Sequence, residues 1–231
     1  IIPKNPAHMI DLPEPEKATQ IIPTAEEAHR FLNILVSEPE EYKTYYVLAL
    51  YTGCRRGELC ALKWSDFTVN GYEGTLTISR SLTPVYGHGV MEGPTKNGKS
   101  RTIYMSNDMM NFVLTYYHIQ KQEAKEYGIP LSEYLFAGED GKPVHPDTFT
   151  KHLRKLFDEN GFPKGFHLHT LRHYFVSSLL HSGVDKQTVA ELAGHGDTSF
   201  LERTYCHPQM ALKQHAAQQM TEVMFPGSLA V

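Results

Sequence analysis

Apolar positions recur at helical spacing early in the chain and again in its last third, with a stretch of alternation between them. Ala28, Phe31, Leu32 and Leu35 line one face of a helix. Thr24 caps it, and Glu26 and Glu27 suit the positive end of its dipole. Pro39 ends that helix, and Tyr42–Tyr51 reads as a second, largely apolar one. Gly53 breaks it, and RRGELCALKWSDF begins a third with Arg55 in its first turn and Trp64 and Phe67 in the core. Over residues 75–105 the period drops to two. TLTISRSL and SRTIYM alternate, with Gly87, Gly89, Gly93 and Pro94 between them. They predict a small antiparallel sheet of two or three strands, whose last turn, TKNGKS, holds the hairpin-favouring pair Asn97–Gly98.

From Ser106 the helical period returns and runs to about Tyr127, with Met109, Phe112, Val113, Tyr116 and Tyr117 as the buried stripe. YLFAGEDGKPVHP is a strand-like run and a turn, and a helix then extends from Pro146 to about Asn160. Residues 167–207 are the most informative stretch. His169 and Arg172 are three apart and share one face of a helix whose later positions (Tyr174, Phe175, Val176, Leu179, Leu180) are too apolar for a surface helix. A buried helix with a cationic start makes sense if that end faces an anion, because its N–H groups and dipole already favour negative charge. Gly183 breaks this helix. Gln187–Ala193 forms another, followed by His195 and, in ERTYCH, Tyr205. In the tail, Met210, Ala217, Met220 and Met224 form an apolar stripe at roughly heptad spacing. The fold class is mixed α+β, mainly helical.

Composition narrows the class. The 231 residues, 41% hydrophobic and 21% charged, are enough for a sizeable core. No apolar run reaches membrane-spanning length, and IIPKNPAH lacks a signal-peptide pattern, so no membrane partner is expected. The three cysteines, Cys54, Cys60 and Cys206, have no metal-ligand spacing and fit a reducing cytosol. The 13 histidines come without an H-E-x-x-H or finger pattern, so no metal or cofactor is expected. A net charge of −4 argues mildly against nucleic acid, but the charge is unevenly placed. Acids crowd the start of the chain, whereas bases gather at Arg55–Arg56, at Lys96, Lys99 and Arg101, at Lys151, Arg154 and Lys155, and at His167–His173. Local field decides where a polyanion docks. Residues 1–23, with five prolines, read as an extended linker.

HTLRH, the AGH turn and ERTYCH, preceded by TGCRRGEL and PTKNGKSRTI, resemble in this order the signature of the tyrosine recombinases, the phage integrase family. The resemblance spans residues 24 to about 215, and the chain is similar to integrases of phages and conjugative transposons. Cys54 where a larger aliphatic is usual, AGH rather than LGH, and Cys206 after the tyrosine are minor departures. It implies a catalytic domain over residues 24–208 with the family's fold. It also implies DNA-binding domains ahead of the linker; the tail, 209–231, either folds back onto its own domain or, as often in the family, docks on a neighbouring protomer. The implied partners are a double-stranded DNA recombination site and further copies of the chain in a synaptic tetramer, and the implied location is cytoplasmic and nucleoid-associated, for a protein encoded by a bacterium or a phage.

The resemblance assigns Tyr205 as nucleophile, with Arg55, Arg172, Lys96, His169 and His195 around the phosphate. Tyr205 would attack a DNA phosphodiester, leaving a 3′-phosphotyrosine and a free 5′-hydroxyl. This conserves the bond energy without ATP. Guanidinium forks suit the extra negative charge of the pentacoordinate transition state. Lys96 is assigned as general acid, as an ammonium with an ordinary pKa of about 10.4 can protonate an alkoxide; Lys99 in the same turn is its competitor. His169 can take the tyrosine proton or donate to the phosphate. Glu58, one turn beyond Arg55, can orient that guanidinium or form an ordinary exposed pair. Arg56, Lys99, Arg101, Lys151, Arg154, Lys155 and His173 are candidate DNA contacts. A type IB topoisomerase-like relaxing enzyme and a noncatalytic DNA-binding module of the same fold are the alternatives.

Overall fold

The structure, a computed structural model, describes residues 21–70 and 73–194, together with Thr198 and Met220. Helices α1 (Ala25–Leu35), α2 (Glu40–Thr52) and α3 (Arg56–Cys60) lead into a 3-10 turn, Trp64–Asp66. Five strands follow: β1 (Phe67–Asn70), β2 (Glu73–Ile78), β3 (Arg80–Val85), β4 (Gly89–Pro94) and β5 (Arg101–Met105). The rest is helical: α4 (Asn107–Tyr127), α5 (Pro146–Glu159), α6 (Leu168–His181) and α7 (Lys186–Ala193). The fold is mixed α+β and mainly helical, as expected.

Local chemistry explains most boundaries. Thr24 accepts from the Glu27 N–H while Glu27 reaches back to the Thr24 N–H, a capping box at the start of α1. Ser106 caps α4 by accepting from Met109 N–H, and Asp185 caps α7 by accepting from Thr188 N–H. Gly53, with φ of 59°, closes α2, and an added Cβ there would land in the Phe175 ring. Only glycine satisfies both conditions. The chain reverses there and delivers Arg55 to the head of α3.

The expected small antiparallel sheet is present with three strands, and a two-stranded ribbon stands apart from it. β1, β2 and β5 make one antiparallel sheet in the order β1-β2-β5, and β3 and β4 make a separate ribbon. TLTISRSL divides at Ser79 into β2 and β3, and β1 pairs in register Phe67↔Leu76. The Asn97–Gly98 turn therefore closes no hairpin; it carries the chain from the β3–β4 ribbon to β5 in the other sheet. A second difference lies in α1, where Leu32 is 38% exposed while Ala28, Phe31 and Leu35 are buried. α3 is also only five residues long, and Arg55 is its N-cap, not a first-turn residue. Trp64 and Phe67 pack against the core from its edge.

Two apolar clusters hold the molecule. The larger joins α1–α5 to the inner faces of the strands through Phe31, Tyr45, Tyr46, Leu76, Ile103 and Phe149. The smaller consists of Phe175, Val176, Val189, Ala190 and Ala193 from α6 and α7. α6 belongs to both, since Leu168 and Leu171 lie in the larger cluster and Phe175 and Val176 in the smaller. Its cationic start thus sits at the seam. His195, Tyr205, nearly all of the 1–23 linker and all of the tail stripe except Met220 fall outside the described residues.

Candidate active site

Arg55 and Arg172 come from segments more than a hundred residues apart and meet where α3 begins and α6 begins. Arg172 is 7% exposed. Its Nη1 donates to the Gly53 carbonyl at 2.7 Å, while its buried Nη2 has no hydrogen-bond partner among the described residues. A buried guanidinium donor without an acceptor is costly unless an anion arrives. Burial, and then the nearby Arg55 charge, push the Arg172 pKa down to about 10, so the group remains charged at neutral pH. The Gly53 turn and α6 are fixed together by this bond and by the Phe175 ring.

Arg55 lies half-buried, with Nη1 2.9 Å from Glu58 Oε1 and Nη2 2.9 Å from the Gly194 carbonyl. Glu58 is buried and also accepts from the Arg55 backbone N–H at 3.0 Å and from Arg101 Nη2 at 2.7 Å. Burial pushes its carboxyl up, but Arg101 and Arg55 outweigh this and hold it below the ordinary carboxylate range. Glu58 is therefore an internal anchor and not an exposed ion pair. The carbonyl that Arg55 holds belongs to Gly194, whose next residue in sequence is His195.

His169 sits in the first turn of α6 with one edge open to solvent. Burial, followed by Arg172, His167, Arg55 and Arg56, lowers its pKa. His173, one turn on and half-buried, is pushed down to about 4, by burial first and then by His169, His167 and Arg172. Both imidazoles are thus neutral at pH 7, with guanidiniums supplying the charge. His167 begins the helix by exchanging hydrogen bonds with Thr170.

A cavity of about 620 Å³ opens beside Arg55, between the 95–101 segment and α7. Asn97, Lys99 and Arg101 wall one side, and Gln187, Glu191 and Gly194 the other. Thr95 is buried and its hydroxyl donates to the Lys99 carbonyl at 2.7 Å, which tightens the turn. Asn97 reaches across to the Gly194 carbonyl at 3.0 Å. Lys96 is exposed on the same turn but does not line the cavity, whereas Lys99 does.

The other candidate DNA contacts separate into two kinds. Arg56 is exposed and paired with Asp147 at 2.6 Å, and Lys151, Arg154 and Lys155 are exposed on α5. Arg101 needs correction. Its side chain is 6% exposed, and it is committed to Glu58, to the Leu192 carbonyl at 2.8 Å and to Cys54 Sγ at 3.4 Å. Strand geometry causes this, because residues 101, 103 and 105 point to the buried face of β5. The same alternation was visible in SRTIYM, where Arg101 shares a face with Ile103 and Met105.

The start of α3 and the start of α6 bring two guanidiniums and a neutral imidazole near one another, beside a lysine-bearing turn, an arrangement suited to an anion. The matches to known proteins identify the family. Residues 22–211 match the phage integrase family, and the chain belongs to that family, the tyrosine recombinases. It is 26% identical over 201 residues to the ICEBs1 integrase of Bacillus subtilis, covering 86% of this chain and 54% of that one. It is 27% identical over 211 residues to a tyrosine recombinase XerC of Bacillus pumilus, covering 90% of this chain and 63% of the other. The chain thus spans between half and two thirds of the length of these relatives. In fold it is similar to the Tn1549 transposon integrase in complex with a circular intermediate DNA, with a TM-score of 0.74 and 18% identity, covering 89% of this chain and 68% of that one. It is also similar to the XerH site-specific recombinase bound to its difH substrate, with a TM-score of 0.66 and 20% identity, covering 87% and 55%.

Proposed function

We propose that this chain is the catalytic domain of a site-specific DNA recombinase or integrase, cleaving and rejoining strands through a covalent 3′-phosphotyrosine at Tyr205. The observation that carries the reading is the convergence of Arg55 and Arg172. Arg172 holds a buried donor with no acceptor among the described residues, and Arg55 is tied to the carbonyl just before His195 in sequence. The two forks would hold the non-bridging oxygens of the scissile phosphate and meet the charge that develops in the transition state. Tyr205 attacks phosphorus, and the bond to the 5′-oxygen breaks. His169, neutral and facing this site, takes the phenolic proton, and His195 donates to a phosphate oxygen. The departing 5′-oxygen takes a proton from Lys96, with Lys99 as the rival donor because it lines the cavity. A 5′-hydroxyl of a second strand then reverses the step, so neither ATP nor a metal ion is called on.

The partners proposed are a double-stranded recombination site, DNA-binding domains preceding residue 24, and further protomers in a synaptic tetramer that exchange the 209–231 tail. Among the described residues no helix is long and apolar enough to cross a membrane, and a cytoplasmic location is proposed. Arg56, Lys151, Arg154 and Lys155 are proposed to contact DNA backbone, a reading their exposure supports.

The test uses nicked duplexes covering the junctions that flank the gene. The protein should form an SDS-resistant DNA adduct, lost in Tyr205→Phe. Strand exchange between two such duplexes marks a recombinase, and relaxation of supercoils without exchange marks a topoisomerase. DNA binding with no adduct would leave only a binding module and sink the proposal.

A further inference from the structure

We infer that Arg101 is a positioning residue of the cleavage site, the strut that ties the Arg55 guanidinium to the turn entering His195. The inference rests on the function proposed above. A buried cation on the inner face of a strand calls for an explanation, because charged side chains are almost never fully buried unless paired. Arg101 begins β5 opposite Ile78, between apolar neighbours of the larger core. From there it reaches in two directions.

Through Nη2 it holds Glu58 Oε2 at 2.7 Å, and the other oxygen of that carboxylate holds Arg55 Nη1 at 2.9 Å. Through Nε it holds the Leu192 carbonyl at 2.8 Å, in the last turn of α7. Its guanidinium also lies against Gly194. A Cβ on that residue would stand 2.6 Å from Arg101 Nη1, and Gly194 has φ of 68°. The Gly194 carbonyl in turn receives Arg55 Nη2 at 2.9 Å. These contacts close a ring: Arg101, Glu58, Arg55, Gly194 and back through Leu192 to Arg101. One outlet of the ring is the Arg55 fork proposed to hold the phosphate; the other is Gly194, which precedes the candidate His195 in sequence.

A ring of this kind fixes direction more than it adds charge. Arg101 presents a planar fork that meets a carboxylate and a carbonyl at a fixed angle; a lysine keeps the charge but gives only one flexible ammonium. Loss of the fork leaves Glu58 Oε2 held by the Arg55 backbone N–H alone, and the carboxylate and the Arg55 plane can turn about that remaining bond. Misplacement of about 1 Å at a reacting centre can lower a rate by roughly 100-fold.

The experiment compares wild type with Arg101→Lys, and with Arg101→Met as the second variant should the first melt early. Three quantities are read: single-turnover cleavage of the nicked duplexes above, affinity for the same duplexes, and the ¹⁵N signals of the Arg55 guanidinium. We expect cleavage to fall by about 100-fold, affinity to stay unchanged, and the Arg55 signals to lose their restricted rotation while the melting temperature holds. On a Glu58→Gln background, Arg101→Lys should add little, since both break the same link. Full cleavage with unchanged Arg55 signals overturns the inference, and so does full additivity with Glu58→Gln. If the wild type forms no adduct, the recombinase reading fails by itself and the Arg55 signals decide the role of Arg101: loss supports it and constancy overturns it.

Discussion

Arg172 is where charge, burial and geometry press hardest on a single side chain. One of its terminal nitrogens is satisfied by Gly53 and the other by nothing among the described residues, with Arg55 close enough to depress its pKa. A phosphate relieves all of these costs together, and a fork can hold two of its oxygens where an ammonium holds one. Arg172→Lys should therefore lower single-turnover cleavage by about 10²–10³-fold while changing DNA affinity much less, because the lost interaction is the one that strengthens in the transition state. Equal losses in rate and affinity would place Arg172 in ground-state binding only. The lysines call for a different discriminator. Lys96→Ala and Lys99→Ala can each be assayed on DNA in which sulfur replaces the 5′-bridging oxygen. A thiolate leaves without a proton, so only the variant that lost the general acid should recover its rate. Recovery in Lys99→Ala and not in Lys96→Ala would move the role to the residue that lines the cavity. Much of the site could be read residue by residue from ordered motifs, since H-x-x-R on a helix and Arg55 after a breaking Gly53 are local patterns. Arg101 was misread because its basic neighbours Lys96 and Lys99 outweighed its place in the strand alternation.

At the scale of elements, helices were the more legible. Capping residues and apolar periodicity mark α1, α4, α5 and α7 to within a residue or two, because their signals lie within one turn of each end. The strands were less so. Which strand pairs with which depends on contacts distant in sequence, and nothing in TLTISRSL shows that the chain changes sheets at Ser79. The Asn97–Gly98 pair does make a turn, with Gly98 N–H bonded to the Thr95 carbonyl at 2.8 Å, but the strands on either side belong to different sheets. The junction of α2 with α6 gives a prediction at this scale. Gly53→Ala must adopt φ near 59° and also push the Phe175 ring away from α2. The backbone cost alone is about 1–2 kcal/mol, and displacing a buried ring adds about 1–3 kcal/mol. Urea unfolding should show a loss within the sum of those ranges, with cleavage reduced as well because the Gly53 carbonyl orients Arg172. Wild-type stability would mean that α6 is free to shift away from α2.

Taken as a whole, the molecule brings Arg55 from the head of α3 near Arg172 and the histidines of α6, and burial, reinforced by nearby charge, controls how those histidines titrate. His169 is held below its ordinary pKa by burial and then chiefly by Arg172, and His173 at about 4 by burial and then by His169, His167 and Arg172. Two consequences follow with opposite signs. Without DNA, the unfolded chain binds more protons than the folded one between about pH 6.5, the ordinary histidine value, and the depressed folded values. Stability from this source is complete above about pH 6.5 and declines as the pH falls towards 4, so the melting temperature should drop across that window and drop less in His173→Gln. With DNA bound, a phosphate amid the same groups offsets the guanidinium charge and favours the imidazolium, which raises both histidine pKa values. Binding should then take up protons, and affinity should increase as the pH is lowered from 8 to 6 at constant salt, while folding stability moves the other way. Calorimetry of DNA binding in two buffers of different ionisation enthalpy measures that uptake directly. Zero uptake near pH 6, with wild-type affinity, would show that the phosphate does not sit among His169, His173 and Arg172. Uptake that persists in His169→Gln and disappears in His173→Gln would assign the titrating group to the second turn of α6, away from the position proposed for the tyrosine proton.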